Sequence, residues 1–204
     1  MKFNVPTGYG NILANFIRQL LLTKVETWRP VAFKIDETTN VVSAGAEIIE
    51  DSVEIINNLN DYLYDIDCDD NVFVISATVK NLTTDDLSQG AVHILNAANT
   101  ATIFQSLHQE VTVKIYFRKA AGSLYQEQNL FFLEQEKHVI ESANNVVVFN
   151  SRHTNFSTIS VSVEEYSDHE EQVTLDIDAK YEVDVESVVK QVCSNTAALL
   201  QKIG

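Results

Sequence analysis

Basic residues are scarce in this chain. Lys and Arg number 14 against 29 Asp and Glu, a formal net charge of −15 over 204 residues. No stretch is dominated by cationic side chains, whereas a protein that grips phosphate backbones carries a basic patch. Direct nucleic-acid binding is therefore not expected; an acidic surface serves solubility or complements a basic protein partner. Cysteine is equally thin. Cys68 and Cys193 are too few and too far apart for a disulfide framework or a zinc knuckle, which points to a reducing, intracellular compartment. No apolar run approaches the ~18–20 residues of a membrane helix, and Met1-Lys2-Phe3-Asn4 does not open a secretory signal. Gly numbers six and Pro two, and no linker, repeat or low-complexity segment marks a boundary.

Motifs that carry chemistry are missing as well. His93, His108, His138, His153 and His169 never fall in His-x-x-x-His or Cys-pair spacing, so no metal site is expected from them. Asp65-x-Asp67-x-Asp69 has the opening of a calcium loop. Its sixth position holds Asp70 where Gly is needed, and its twelfth holds Ser76 in place of a bidentate Glu. The run reads as a solvated connection. There is no Gly-x-Ser-x-Gly, Cys68 sits in an acidic setting that opposes a thiolate, and Gly8-x-Gly10 lacks the third glycine of a phosphate loop. No catalytic residue is assigned.

What is present is a globular composition, 45% hydrophobic and 21% charged, in a chain long enough to bury a core. After Gly8-Tyr9-Gly10, the residues Ile12, Leu13, Phe16, Ile17, Leu20 and Leu21 recur at the spacing of one broad apolar helix face. Asn15, Arg18 and Gln19 are set into it. Trp28–Ile35 reads as a strand begun by Pro30, and Val41-Val42 as a short return strand. A second helix carries Ile49, Val53, Ile56 and Leu59 on one face, with Glu47, Glu50 and Asp51 at its start, where acids suit the dipole. From Val72 to about Glu165 the pattern is mostly strands: Val72–Val79, the alternating Val111–Phe117, Leu130–Leu133, Val146–Phe149 and Ile159–Val163, with a capped turn at Thr83–Leu87. Val173, Leu175, Ile177, Ala179 and Tyr181 alternate with polar residues as a half-buried strand. Asp184 then caps a helix whose stripe runs through Val185, Val188, Val189, Val192, Thr196, Leu199, Leu200 and Ile203, with Cys193 packed near it.

Several of these segments together resemble the N-terminal domain of RNA polymerase α-subunits. A glycine turn leads into Leu13-x-Asn15-x-x-Arg18-x-Leu20-Leu21. Ser43…Glu50-Asp51-x-x-Glu54-Ile55-x-x-Asn58-Leu59 follows at the family's distance. Thr83-Thr84-Asp85-Asp86, Val92-His93-Ile94-Leu95-Asn96 and a strand closing in Arg118-Lys119-Ala120-Ala121-Gly122-Ser123-Leu124-Tyr125 then appear in order. Val183-Asp184-Val185-Glu186-Ser187-Val188 is similar to the Ile-Asp-Pro-Glu-Glu-Ala that opens the family's last helix. Departures are also plain. The Arg-Gly-Arg-Gly-Tyr motif has lost its second Arg and flanking glycines, Phe-Ser-Pro-Val is reduced to Phe149-Asn150-Ser151-Arg152, and the family's paired arginines on the first helix are here Arg18 followed by Gln19. Only Met1–Thr7 precede the glycine turn, where the family has further strand sequence.

The resemblance implies an α+β fold: a discontinuous α/β dimerisation domain, 1–66 plus 166–204, with an inserted mainly-β domain at 67–165. It implies an α-like, non-catalytic subunit of a DNA-directed RNA polymerase. Such a subunit pairs with itself or with a second α-like chain and carries the two large β-like and β′-like subunits, which hold the magnesium; this chain binds no cofactor or metal of its own. On that reading the dimer interface is Ile12, Leu13, Phe16, Ile17, Leu20, Leu21, Val192, Thr196, Leu199 and Leu200. The large-subunit contacts are Asn15, Arg18, Gln19, Glu50 and Asp51. The chain ends at Gly204, directly after the last helix, so the family's C-terminal DNA-binding domain is expected to be absent. A reduced, divergent form points to a phage, virus, plasmid or organelle polymerase more than to a typical bacterial one, and to the cytoplasm of a bacterial or phage-infected cell, with organelle stroma or a viral compartment as alternatives. Two alternatives stay open: an unrelated intracellular interaction or structural module with the same order of elements, and an enzyme whose site is too dispersed to read.

Overall fold

Alternation of apolar and polar residues along Val173–Asp178 needs a sheet with one covered face, and that is where these residues lie. The chain, described here by a computed structural model, is resolved into structure over 1–37, 48–107, 109–136, 146–179 and 183–202. It divides into two compact units, 1–26 with 154–204 and 27–153. Helices alternate with antiparallel strands throughout, an α+β class as expected.

The first unit contains β1 (Lys2–Pro6), α1 (Gly10–Lys24), β12 (Phe156–Ser167), β13 (Glu170–Ala179) and α5 (Val185–Leu200). Its sheet has the order β1-β13-β12. The first residues therefore form an edge strand, with Lys2 opposite Thr174 and Pro6 opposite Glu170. Sequence inspection left them without a partner because the pairing spans almost the whole chain. Val5, Val173 and Leu175 point to one face, where they bury Ala14 of α1. Leu21 meets Phe156, Ile159 and Val189 of α5 in an adjoining cluster that includes Cys193. Thr174, Asp176 and Asp178 take the opposite, more exposed face. Asp184 caps α5 as expected, accepting from the Ser187 N–H at 3.2 Å.

The second unit contains β2 (Thr27–Glu37), α2 (Ser52–Asn60), β3 (Tyr64–Ile66), β4 (Val72–Val79), β5 (Asn81–Thr83), α3 (Thr84–Leu87), β6 (Val92–Ile94), β7 (Thr102–Gln105), β8 (Val111–Ala120), β9 (Gly122–Leu124), α4 (Gln126–Gln135), β10 (Val147–Val148) and β11 (Ser151–His153). A six-stranded sheet runs β4-β8-β2-β3-β6, with β10 also on β2; β5 pairs with β7 and β9 with β11. Pro30 lies inside β2 and not at its start. The register with β8 shifts between Pro30 and Ala32, a bulge that accommodates the missing N–H. The bulge also turns Val31 and Ala32 into the same cluster, against Leu133 of α4, while Trp28 and Phe33 both reach the main core with Ile115 and Phe117.

Two boundaries differ from the sequence reading. The divisions fall at 26/27 and 153/154, not at 66/67 and 165/166. β2 pairs with β8 from Thr27 to Glu37, so Trp28 and the helix after it belong with the middle block. β12 pairs with β13 along its length, so Ile159–Val163 belong with the last helix. Long-range strand pairing decides both, and alternation alone does not say which strand is the partner.

Two elements differ as well. Leu130–Leu133 lies in a helix: Tyr125 N–H donates to the Gln128 side chain at 2.9 Å, and the Gln- and Glu-rich flanks favour helix over strand. A short apolar run fits either state until its neighbours are weighed. In α2 the buried face is Ile55 and Leu59 and Val53 is exposed, while Ile49, also exposed, lies before the helix. Asp51 fixes that frame by capping the helix, accepting from Val53 and Glu54 N–H at 2.8 Å each. Thr83 caps α3 in the same way, as expected. The proposed return strand Val41-Val42, with Glu47, Tyr181, Ile203 and the side chain of Leu200, lies outside the described residues.

Candidate functional site

The first helix carries the candidate surface. Gly8, at φ 92°, turns the chain out of β1 in a conformation other residues rarely adopt. Gly10 is needed for room instead. A Cβ there would stand 2.5 Å from Val163 Cγ1 and 2.6 Å from Glu171 Oε2. The same carboxylate accepts the Gly10 N–H at 2.8 Å, which supplies an otherwise uncapped helix start with an anion from β13. This contact fixes the rotation of α1 on the sheet.

That rotation splits the broad apolar stripe. Ala14 and Leu21 face the sheet and α5, Leu13 and Ile17 are half-buried beside them, and Leu20 is 6% exposed. Ile12 at 65%, Phe16 at 43% and Tyr9 at 57% face outward, and their spacing of three and four residues makes them one strip. On α5, Val192 is 7% exposed, Thr196 is half-buried with its hydroxyl donating to Val192 O at 2.9 Å, and Leu199 is 59% exposed. Among the ten residues expected at a dimer interface, Ile12, Phe16 and Leu199 are therefore available to another chain. Leu20, Leu21 and Val192 are core. Three adjacent apolar side chains on one helix, all exposed, are unusual on a surface with no partner.

The residues expected to touch a large subunit do not form one set. Asn15, Arg18 and Gln19 are exposed on α1. Asn15 donates to Asn11 O at 2.9 Å, and Arg18 has no partner among the described residues. Glu50 and Asp51 belong to the other unit and are occupied there. Glu50 Oε2 accepts the Gln105 N–H at 2.7 Å, and Asp51 is the cap of α2. Their carboxylates hold local structure.

One polar constellation went unread in the sequence. Arg118 Nη1 donates to Asn129 Oδ1 at 3.2 Å; Asn129 Nδ2 donates to Ser151 Oγ at 3.0 Å and to Phe149 O at 2.9 Å. Ser151 Oγ lies 2.8 Å from His153 Nε2, and His153 Nδ1 lies 2.9 Å from Thr27 O. A carbonyl oxygen can only accept, so Nδ1 carries the proton and Nε2 accepts from the Ser151 hydroxyl. Burial, with Arg118 and Arg29 nearby, pulls the His153 pKa down to about 4, against the partial opposition of the Thr27 bond. A neutral imidazole is what this chain of donors requires. Ser151, His153 and Asn129 are all buried, so a Ser–His pair in hydrogen-bond contact serves here as an internal lock between α4, β11 and β2. Ser151-Arg152-His153 alone gave no signal, because the third partner, Asn129, is supplied by a helix read as a strand.

Among the described residues no three His, Cys, Asp or Glu side chains gather as metal ligands. No helix among them is long and apolar enough to cross a membrane. His108 and His138 lie outside the described residues. No family model matches the chain. Over 97% of its length the chain is similar to the DNA-directed RNA polymerase subunit alpha of Mycoplasmopsis synoviae (strain 53), 24% identical across an alignment of 221 residues that covers 65% of that protein.

Proposed function

We propose that this chain is an α-like, non-catalytic subunit of a multi-subunit DNA-directed RNA polymerase, a dimerising platform on which two large subunits assemble. The observation that carries the reading is the end-to-end similarity to a polymerase α subunit over 97% of the chain. Because that relative is longer, the role concerns the part of it that the chain matches. The exposed strip Tyr9–Ile12–Phe16 supports the dimer, since burying three large apolar side chains against a second copy contributes several kcal/mol by area removed from water, on the order of 25 cal/mol per Å². Leu199 extends the apolar surface on α5. Arg18, exposed and unpaired among the described residues, is the assigned large-subunit contact on α1, with Asn15 and Gln19 beside it. Chemistry, and the magnesium it uses, belongs to the large subunits, and the compartment is that of the polymerase, the cytoplasm in a bacterial host.

The test is native mass spectrometry of the purified chain, alone and co-expressed with the large polymerase subunits from the same genome. A dimer alone, and a dimer carrying both large subunits in co-expression, is the expected result. A monomer in both samples sinks the proposal and leaves an unrelated interaction module. Arg18→Ala is expected to weaken large-subunit capture while the dimer and the melting temperature stay unchanged.

A further inference from the structure

Arg118, near the end of β8, is a guanidinium with donors to spare. Its Nη1 serves two acceptors, Asn129 Oδ1 at 3.2 Å and Gln128 O at 3.3 Å. A guanidinium has five N–H donors, so those on Nε and Nη2 remain. They meet no acceptor among the described residues, and no Asp or Glu there reaches ion-pair distance of Arg118. Arg118 is half-buried, and these donors are not enclosed. Burial lowers its pKa from the ordinary arginine value, as expected of a charge that its surroundings do not offset. The group still stays cationic at neutral pH.

A cleft of about 450 Å³ lies against the side of α4, and Arg118 lines it together with Leu124, Phe131 and Phe132. The Phe132 ring stacks on the guanidinium, with Cζ 4.0 Å from the ring centroid, which fixes the plane of the fork. Phe131 is 64% exposed although it forms a wall. Apolar walls around one oriented polar group, at a volume between roughly 300 and 1,000 Å³, are the make-up of a small-ligand site. The charges nearby rank in order of depth. Arg29, opposite Arg118 on β2, adds a second cation at the floor. Lys119 lies over the Trp28 ring at 6.0 Å, on the other face of the strand. Glu127 is the one acid among the lining residues, and it is exposed at the rim, as is Glu134 farther along α4. A cationic floor under an acidic rim selects a ligand with a single negative end. We propose that this cleft binds a monocarboxylate carried on an aromatic or branched-aliphatic body, its oxygens on Arg118 Nε and Nη2 and its body against Leu124 and Phe131. A planar carboxylate matches the fork. The site lies within the second unit and stands or falls apart from the polymerase reading.

The probes are 3-phenylpropionate, its uncharged amide, and a blocked tripeptide ending in a free phenylalanine carboxylate, each titrated into the whole chain and followed by NMR. Saturable one-to-one binding of an acid is expected, with shifts confined to α4 and the end of β8, and with the amide about tenfold weaker. Tighter binding of the tripeptide assigns the carboxylate to a chain end, and tighter binding of phenylpropionate to a free acid; either result keeps the site. Arg118→Lys is expected to weaken the acid about tenfold, because the fork is lost while the charge stays. Should that variant fail to fold, two exposed positions carry the test. Phe131→Ala is expected to weaken binding about fivefold, and Glu127→Gln to strengthen it about twofold by removing like charge at the rim. No binding, equal binding of acid and amide, shifts elsewhere, or weaker binding by Glu127→Gln overturns the proposal.

Discussion

The two units hold themselves together in different ways. The first is sealed by aliphatic packing: Ala14, Leu21, Val173, Leu175, Phe156 and Val189 close α1 and α5 onto a three-stranded sheet. The second has a larger apolar core and, beside it, a buried polar relay from Arg118 through Asn129 and Ser151 to His153 and Thr27. Apolar packing tolerates repacking and is indifferent to pH, whereas a polar relay is all-or-none and sensitive to protons. The contrast makes the units separable by experiment.

The largest expected effect is on the first unit. Leu21→Ala removes a side chain that is 1% exposed and should cost about 2–5 kcal/mol, read as a drop in the denaturant midpoint of that unit. Leu20→Asp would act in the same way, because Leu20 is core; it is therefore a poor probe of dimerisation.

In the second unit the matching change is Asn129→Ala. It orphans Phe149 O, leaves Arg118 Nη1 with Gln128 O as its acceptor, and removes the donor to Ser151, for a loss of about 2–3 kcal/mol. Protection from exchange should fall in α4 and β11, and β13 should keep its protection. If both units lose stability equally, the division between them is not energetic.

The pH dependence sharpens the comparison further. The folded chain holds His153 at a pKa of about 4 against an ordinary 6.5. Between those values the unfolded chain binds a proton that the folded chain does not. The contribution is therefore complete above about pH 6.5 and is lost as pH falls towards 4, at ~1.4 kcal/mol per pH unit and on the order of 3 kcal/mol in all. Urea titrations of the second unit at pH 7, 6 and 5 should show that slope. His153→Leu should remove it, whatever happens to the baseline.

Phe16→Asp should have the smallest effect on folding, within about 0.5 kcal/mol, because the site is exposed. Its expected consequence is loss of the dimer in native mass spectrometry, since a charge buried across an interface without a partner costs several kcal/mol. An unchanged dimer would place the interface elsewhere than the Tyr9–Phe16 strip.

Much of the fold was legible because it is local. Periodicity placed α1, α5, β4, β8 and β13, and cap chemistry placed the starts of α3 and α5 at Thr83 and Asp184. The helix at Gln126–Gln135 was misread because four apolar residues in a row carry no period of their own. Of the candidate surface, the helix was legible but its rotation was not. Six apolar positions on α1 look equivalent in sequence, and the contact of Gly10 with Val163 and Glu171 decides which of them are core.

The sequence by itself determined the period of the longest helices and strands, the caps at Thr83 and Asp184 and the acidic balance of the chain, because these follow from nearest neighbours along the chain and from side-chain type. Only the tertiary structure decided which strands pair, which half of the α1 stripe stays exposed, and that a serine, a histidine and an asparagine drawn from two elements form one buried relay. Those outcomes depend on residues up to 172 positions apart, Lys2 opposite Thr174 among them, and no local pattern encodes a partner at that distance.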